Sequence, residues 1–133
     1  MGSTLTKADF SALSEFRYQM RRYEAFSEAA VQAEGITPLQ YLLMLHVKGF
    51  AGRDWATVGE LAERLQAKQH GVVALLTRCE AMGLLERRPH AEDRRRVEVH
   101  LLAKGEAILH HLAAIHRAEL RARAGTFTIP TLS

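Results

Sequence analysis

Apolar residues recur at helical spacing through the first quarter of the chain. Those on one stripe are Phe10, Leu13, Phe16, Met20 and Tyr23. This period predicts a long amphipathic helix. Thr6, with Asp9 three residues later, is a helix-start signal, and Gly35 is suited to end the helix after Ala33.

Two short motifs predict where the next helices begin. "TPLQ" at 37–40 combines a capping Thr, a Pro at the first helical position and a Gln that completes a capping box. The residues after it are apolar almost all round, so this helix is expected to be buried. "TVGE" at 57–60 is a second capping box, and it opens a short helix with Leu61, Ala62 and Leu65 inward.

A second amphipathic helix follows after a short break at 66–68. Its apolar stripe consists of Val72, Leu75, Leu76, Cys79 and Met82. Gly83 is suited to end this helix in the left-handed conformation. Two helices joined by so tight a turn predict a helix-turn-helix over 57–82.

Alternation of apolar and polar residues replaces the helical period beyond Gly83. It predicts two short strands, Leu84 to Arg88 and Arg96 to Leu101, on either side of an arginine-rich tip. The second strand alternates strictly. Val97, Val99 and Leu101 fall on one side, and Glu98 and His100 on the other.

The helical period returns at the carboxyl end. Residues 104–124 carry Ile108, Leu109, Leu112, Ile115 and Leu120 on an apolar face, and "GTFTIPTLS" forms a frayed or docked tail. The predicted fold class is therefore mainly α with a small β-hairpin wing at 84–101. It is a winged helix-turn-helix flanked by terminal helices at 10–33 and 104–124.

Composition is ordinary for a soluble globular protein and predicts a single domain over 1–133. The chain is 47% apolar and 25% charged, with a net charge of +3. That charge permits a polyanionic partner without requiring one. Cys79 is the only cysteine, which excludes an intramolecular disulfide and fits a reducing cytoplasm. No membrane span or signal peptide is predicted, so the predicted location is cytoplasmic.

The distribution of arginine separates two interpretations of the hairpin. Five arginines lie at the tip of the hairpin and on the strand leading to it: Arg87, Arg88, Arg94, Arg95 and Arg96. Asp93 and Glu92 either neutralise neighbouring arginines in a solvated turn, or the hairpin is a wing that reaches the backbone and minor groove of DNA. A helix-turn-helix immediately before the hairpin favours the wing.

These segments resemble the MarR family of bacterial transcription regulators. The resemblance covers about residues 10 to 124 and runs through "TPLQYLLMLHV", "TVGELAERL", "GVVALLTRCEAMGLLERRP" and "EDRRRVEVHLLAKG". Asp93-Arg94-Arg95, followed by Leu101 and Lys104-Gly105, looks like that family's wing signature. The resemblance implies a homodimer with winged domains on duplex DNA, and usually repression relieved by a ligand or an oxidant.

The chain departs from the family pattern at three positions. Lys68 and Gly71 stand where family members often have Ser and Thr at the start of the recognition helix. Phosphate contacts from short hydroxyl side chains are therefore in doubt, although Lys68 can replace one electrostatically. Ala103 replaces the usual Thr before the last helix, which weakens its cap.

The resemblance and the helical pattern together assign roles to individual side chains. Gln69 and His70 are predicted to read bases in the major groove, while Val73 and Thr77 pack on thymine methyl groups. Arg95 is predicted to enter the minor groove. The full predicted DNA-binding set is Lys68, Gln69, His70, Val73, Thr77, Arg78, Arg87, Arg88, Asp93, Arg94, Arg95 and Arg96.

Five members of this set have supporting or alternative roles. Asp93 is predicted to brace the wing, with Arg94 and Arg96 near phosphates. Arg87 and Arg88 are either phosphate clamps or intrachain partners of Asp93, and one of them is expected to be structural.

The terminal helices are expected to form the dimer, as the resemblance implies. The apolar residues available for it are Phe10, Leu13, Phe16, Ile108, Leu112 and Ile115. The resemblance also implies a crevice for a small aromatic effector. The candidate lining residues are Tyr23, Tyr41, Met44, His46 and Trp55, although core packing explains the same five residues.

Histidine and cysteine are given structural interpretations. His100, His110, His111 and His116 lie near one another, but no two have the helical spacing of a metal-ligand pair, so solvated positions are expected. No metal site and no cofactor are predicted. Cys79 lies on an apolar stripe, which favours a core residue over a redox switch.

The predicted function is a sequence-specific regulator of transcription that binds double-stranded DNA. It is expected to be a homodimeric repressor on a pseudo-palindromic operator, relieved by a small aromatic effector. The alternative is a winged-helix protein-interaction module, or antagonist, that lacks DNA binding. An enzyme is not predicted, because no acid-base pair, nucleophile constellation or phosphate loop is present.

Overall fold

A computed structural model describes residues 4–133. Its elements are α1 (Lys7–Ala33), α2 (Pro38–Lys48), β1 (Trp55–Thr57), α3 (Val58–Leu65), α4 (Gln69–Ala81), β2 (Leu85–Pro89), β3 (Val97–Leu101) and α5 (Ala103–Ala122). The predicted domain boundary at residue 1 lies outside the described residues. Within residues 4–133, no helix combines the length and hydropathy needed to cross a membrane.

Three helices begin at the start signals predicted from the sequence, and the start at Thr6 proves to be a capping box like the two predicted ones. The hydroxyl groups of Thr6, Thr37 and Thr57 each accept a hydrogen bond from the amide three residues later, at 3.2, 3.2 and 3.3 Å. In each box the side chain at that later position accepts in return from the backbone of the capping Thr. These local bonds satisfy amide groups that the helix itself leaves unpaired.

The turn between α3 and α4 depends on a residue in the left-handed region. Gln66 adopts φ +52° and ψ +48°, and the amide of Ala67 donates to the carbonyl of Ala62 at 2.9 Å. The left-handed conformation is unfavourable for a residue other than glycine. A side-chain hydrogen bond stabilises it, because the side-chain amide of Gln66 donates to the backbone carbonyl of Glu63 at 2.8 Å. The close turn confirms the predicted helix-turn-helix.

The hairpin is part of a three-stranded antiparallel sheet ordered β1-β3-β2. The two predicted strands are confirmed within one residue at each end. Strand β1 was missed, because its three residues are too few for alternation to show in the sequence. It pairs Trp55 with His100 and Thr57 with Glu98. Trp55 therefore covers the polar side of β3, where the side chains of Glu98 and His100 are only 14% and 20% exposed.

One hydrophobic core joins all five helices to the sheet. Its fully buried large residues include Val31, Leu43, Met44, Val47, Leu61, Leu76, Leu84, Leu85, Val99 and Leu112. Helix α2 lies at its centre, as its apolar sequence predicted, and touches α1, α3, α4, α5 and the sheet. Leu112 corrects an expectation: it is completely buried in this core and is not available to a second chain.

The carboxyl-terminal tail is docked against α1. The ring of Phe127 lies 6.1 Å from that of Phe16 and 6.0 Å from that of Tyr23. The backbone amide and hydroxyl of Ser133 both donate to the carboxylate of Asp9. These bonds and those from Thr6 lower the pKa of Asp9 to about 2. Of the two alternatives for the tail, the docked one is correct.

Gly105 marks a close approach that supports a stability prediction. A Cβ atom at this position would lie 2.1 Å from the backbone carbonyl oxygen of Leu84, the residue directly before β2. Because that oxygen belongs to the backbone, Gly105→Ala forces the two elements apart. We expect a loss of about 1–3 kcal/mol in the free energy of unfolding, measured by urea denaturation.

Gly71→Ala is the matched control. A Cβ there meets nothing within 4 Å, and Ala is favoured over Gly within a helix by about 0.5–1 kcal/mol. This variant should be as stable as the parent or slightly more so. Equal destabilisation by the two substitutions would contradict the proposed contact.

Candidate nucleic-acid interface

Helix α4 presents one face to the core and the other to solvent. Val72, Leu75, Leu76 and Cys79 are buried, which confirms the apolar stripe read from the sequence. The remaining face is exposed along its whole length. Its exposed residues are Lys68, Gln69, His70, Val73, Thr77 and Arg78. The core contacts therefore determine which side chains of α4 are open to a partner.

The amino end of α4 has no side-chain cap. Lys68 occupies the capping position in an extended conformation and makes no capping hydrogen bond. The first-turn amides and the positive end of the helix dipole are thus combined with a lysine charge at the same exposed end. This arrangement favours an anion such as a phosphate group.

Arg87 is held by α4. Its Nε donates to Glu80 at 2.7 Å, and its Nη2 donates to the hydroxyl of Thr77 at 3.3 Å. The Thr77 hydroxyl in turn donates to the carbonyl of Val73 at 3.0 Å. Arg87 is thus the structural arginine of the pair, and it fastens β2 to the back of the exposed helix face.

Neither strand arginine pairs with Asp93, contrary to one of the two alternatives for them. Arg88 instead forms an ion pair with Glu86 on its own strand, and its side chain remains about half exposed. The physical reason is distance along the hairpin: Arg87 and Arg88 lie opposite Val99 and Glu98, below the tip that contains Asp93.

Asp93 organises the tip of the wing. One carboxylate oxygen accepts from the backbone amide of Arg95 at 3.0 Å and from its Nε at 3.2 Å. These bonds hold the pKa of Asp93 below its usual value. The carbonyl of Asp93 also accepts from the amide of Arg96 at 3.0 Å. The predicted bracing geometry is present.

The three tip arginines are all exposed. The Arg95 side chain is 92% exposed even though it touches Asp93. Arg94 and Arg96 form no ion pair with any residue in the described part of the chain, 4–133. The wing therefore presents a cluster of positive charge that its own carboxylates only partly neutralise. Its role toward DNA stays a prediction.

His90 supports this turn, a role that the sequence did not predict. Its Nδ1 accepts hydrogen bonds from the amides of Glu92 and Asp93, each at 3.2 Å, and its own amide donates to the carbonyl of Arg96 at 3.1 Å. The sequence around it looked like an ordinary polar loop. No local pattern marks a histidine that caps the following turn with its ring.

The five candidate effector residues do not share one site. Tyr23 and Tyr41 line a cavity of about 550 Å³ between α1, α2 and α5. Met44 is fully buried in the core, and Trp55 lies on β1 against His90 and His100. His46 lies near Arg64, and burial together with that positive charge lowers the pKa of its ring.

His116 corrects the expectation of a solvated histidine. It is buried and stacks on the Tyr41 ring at a centroid distance of 4.8 Å. Its Nδ1 lies 2.7 Å from the carbonyl of Leu112, and its Nε2 lies 2.8 Å from the hydroxyl of Ser27. The inward face of α5 makes this possible, since His116 follows Leu112 by one helical turn. His110 and His111 are exposed.

Comparison with known proteins identifies this architecture. A sequence model of the MarR family matches residues 34–96, from the turn before α2 to the wing tip. The crystal structure of AbsC, a MarR family transcriptional regulator from Streptomyces coelicolor, aligns with a TM-score of 0.80 at 22% identity, over 97% of this chain and 86% of that one. Another MarR family transcription regulator aligns at 28% identity and a TM-score of 0.73, over 90% and 77%.

The chain is therefore similar to MarR family regulators in sequence over residues 34–96 and in fold over nearly its whole length. A mutant of S. aureus MepR bound to an oligodeoxyribonucleotide also aligns, with a TM-score of 0.68 at 22% identity over 85% of this chain and 80% of that one. No curated protein matches the sequence. The segment that matches the family model contains the exposed face of α4 and the wing tip, while α1 and α5 lie outside it.

Within residues 4–133, no three His, Cys, Asp or Glu side chains converge as metal ligands. Cys79 is buried, as predicted, and burial raises the pKa of its thiol to about 11. Since the thiolate is the reactive form, this cysteine is protected by both its position and its protonation.

This protection gives a labelling prediction. Iodoacetamide should modify Cys79 slowly in the folded protein near neutral pH, because almost none of the thiol is ionised. In denaturant the same cysteine should react at the rate of a free thiol, whose usual pKa is about 8.5. Mass spectrometry over time measures both rates. Comparable rates in the two conditions would show that Cys79 is accessible and contradict its assignment to the core.

Proposed function

We propose that this protein is a transcription regulator that binds specific sites in double-stranded DNA. The carrying observation is that α4 exposes its uncapped amino end and its polar face, and that β2, which Arg87 ties to α4, leads to a wing tip with three exposed arginines. The match to the MarR family model supports the same interpretation, because residues 34–96 contain both α4 and the wing tip.

Each part of the surface has a role suited to its chemistry. Gln69 and His70, at the amino end of α4, are proposed to contact base edges in the major groove. Lys68 and the adjacent free amides contact a phosphate. Arg95 enters the flanking minor groove, where a narrow A·T-rich groove has an enhanced negative potential. Arg87 contributes indirectly, because it is already paired with Glu80.

The opposing proposal is a winged-helix module that binds another protein and not DNA. Its strongest support would be a surface with neutralised charge, since a protein contact has little use for several free guanidinium groups. The exposure of Arg94, Arg95 and Arg96 therefore favours DNA. Neither proposal requires catalysis.

We further propose that the regulator is a homodimer formed through its terminal segments. Phe10 is 56% exposed at the start of α1, and Leu5 and Leu13 are also exposed. The Ser133–Asp9 bonds bring the tail, with exposed Ile129 and Leu132, to the same end of the molecule. An apolar cluster of this kind is suited to an isologous interface, and two copies would meet a pseudo-palindrome.

The dimer prediction uses a pair of charge substitutions. Phe10→Glu with Leu13→Glu should weaken dimerisation by about 10-fold or more, because each substitution acts twice in a symmetric interface. Sedimentation at micromolar concentrations measures the change. Val73→Glu, which replaces an exposed apolar residue on α4, should leave the dimer intact. A parent chain that sediments as a monomer would refute the proposed dimer.

A small effector is proposed to bind the cavity between α1, α2 and α5. Tyr23, Tyr41 and Leu120 supply apolar and aromatic surface, and Arg117 and Arg121 lie on its wall. An aromatic carboxylate fits this combination of an aromatic and apolar lining with positive charge. Because the wall includes both α2 and α5, occupancy can alter the position of the DNA-binding elements relative to the terminal helices. Repression relieved by such an effector is the proposed mode of regulation.

Salt-dependent fluorescence anisotropy on selected and scrambled duplexes tests the DNA proposal. Arg95→Ala should cost about 1–3 kcal/mol per site, with a larger loss on A·T-rich than on G·C-rich flanks. Gln69→Ala should relax preference at one or two half-site positions and keep non-specific affinity. Lys68→Ala should weaken all duplexes alike and lower the salt slope by about one unit per lost phosphate contact.

Arg17→Ala is the matched control for charge. Arg17 is exposed on α1, which packs on α2 and α5 away from the α4 surface. Arg17→Ala should change the affinity for the duplexes much less than Arg95→Ala does. If Arg95→Ala binds every duplex with the same affinity as the unsubstituted protein, the wing is a solvated turn. That result would favour the proposal of a protein-interaction module.

A further inference from the structure

A compact polar cluster supports the wing from beneath. It consists of Trp55, His90, Glu98 and His100, and we call it the wing-base cluster. The Nε2 of His100 lies 2.8 Å from one oxygen of Glu98, and the Nε2 of His90 lies 3.7 Å from the other. Trp55 meets His90 edge-on at 5.8 Å and stacks on His100 at 6.1 Å.

The hydrogen bonds of His90 assign its protonation state. Its Nδ1 accepts from two backbone amides, those of Glu92 and Asp93, so this nitrogen carries no proton. The proton of the neutral ring is therefore on Nε2, which faces the carboxylate of Glu98. A metal-bound histidine normally donates from its second nitrogen. His90 accepts there, so its geometry favours a proton-controlled role over a metal site.

A proton on Nδ1 would act directly on the wing turn. The ring would then present an N–H group to the two amides that it now binds, and both hydrogen bonds would be lost. One of those amides belongs to Asp93, whose carboxylate holds the backbone and Nε of Arg95. The position of Arg95 is thus linked through Asp93 to the acceptor on His90.

We propose that neutral His90 is the positioning residue of the wing: its Nδ1 holds the turn that presents Arg95, and a proton on that nitrogen releases the turn. This inference rests on the proposed DNA contact of Arg95. It adds that preference for narrow minor grooves decreases as the solution becomes more acidic, since the charge of histidine changes between about pH 5 and 8.

Several charged groups surround His90. From β3, Glu98 and His100 face its ring, and Arg88 of β2 lies opposite Glu98. From the turn come Glu92, Asp93 and Arg96. β1 contributes the uncharged Trp55, and the Arg53 guanidinium lies 3.9 Å from the centroid of its ring.

Proton uptake has two effects on DNA binding, and they are separable. The added positive charge attracts phosphates in every duplex alike. Release of the turn affects only the contact that depends on groove width. The informative quantity is therefore the affinity ratio between A·T-flanked and G·C-flanked duplexes, and not either affinity alone.

The test compares variants of His90 in a His70→Gln background, because His70 is a second histidine that is proposed to contact DNA. His90→Asn supplies an oxygen acceptor near the position of Nδ1 and does not titrate. His90→Ala supplies no acceptor. In the His70→Gln protein that keeps His90, the ratio of affinities for A·T-flanked and G·C-flanked duplexes should fall about fivefold or more between pH 8 and about pH 5.5. It should approach the ratio measured for Arg95→Ala. His90→Asn should keep the high ratio throughout, and His90→Ala the low one.

His100→Gln is the control within the wing-base cluster. A glutamine can still donate to Glu98 but cannot titrate, so the pH dependence of the ratio should persist. If His100→Gln abolishes that dependence, the proton acts at His100 and the proposal is overturned. A pH-independent parent ratio, or a parent-like ratio in His90→Ala, overturns it as well.

A measurement without DNA separates this inference from the proposed function. NMR can follow the His90 ring tautomer together with the protection factors of the Glu92 and Asp93 amides, which are corrected for the pH dependence of intrinsic exchange. These protection factors should fall as the ring gains its second proton. In His90→Asn they should not change over the same pH range. If the amides respond but no duplex binds, the proposed function fails and His90 still controls the turn. If they do not respond, the inference fails whatever the DNA measurements show.

Discussion

Burial of the apolar stripe of α4 is the constraint on which the rest of the molecule depends. Val72, Leu76 and Cys79 are essentially inaccessible to solvent, and rotating the helix would expose them while burying polar side chains from its other face. Only one orientation of α4 about its own axis is therefore stable. That orientation places the proposed base-contacting residues outward, so recognition chemistry is held in place by core packing and not by polar contacts along the exposed face.

The wing depends on the same core through backbone contacts. The amide of Leu102 donates to the carbonyl of Leu84 at 3.0 Å, and Gly105 lies against that same carbonyl. The end of β3 and the start of α5 are thereby fixed beside the end of α4. Arg87 adds a side-chain tie from β2 to Glu80. The wing is consequently oriented relative to the exposed face of α4 before any partner binds, which reduces the ordering cost of binding.

A second set of contacts joins the wing to α3 through aromatic and polar groups. Glu60, which caps α3, pairs with Arg53, and Arg53 covers one face of Trp55. Trp55 in turn meets His90 beneath the wing turn. Strand β1 thus does more than extend the sheet, because its single aromatic side chain joins the helix-turn-helix to the base of the wing. This arrangement excludes much of the solvent from Glu98 and His100.

The sequence by itself determined the helices, their capping boxes, the exposed face of α4 and the arginine-rich tip. Those features depend on residues within a few positions of one another, where local hydrogen bonds and periodic burial leave a readable pattern. The tertiary structure alone decided that Trp55 forms a third strand, that His116 and Leu112 are buried, and that Arg87 chooses Glu80 over Asp93. It alone revealed His90 as an acceptor for the wing turn. These outcomes depend on the packing of elements distant in sequence and on the orientation of individual side chains, which no local pattern records.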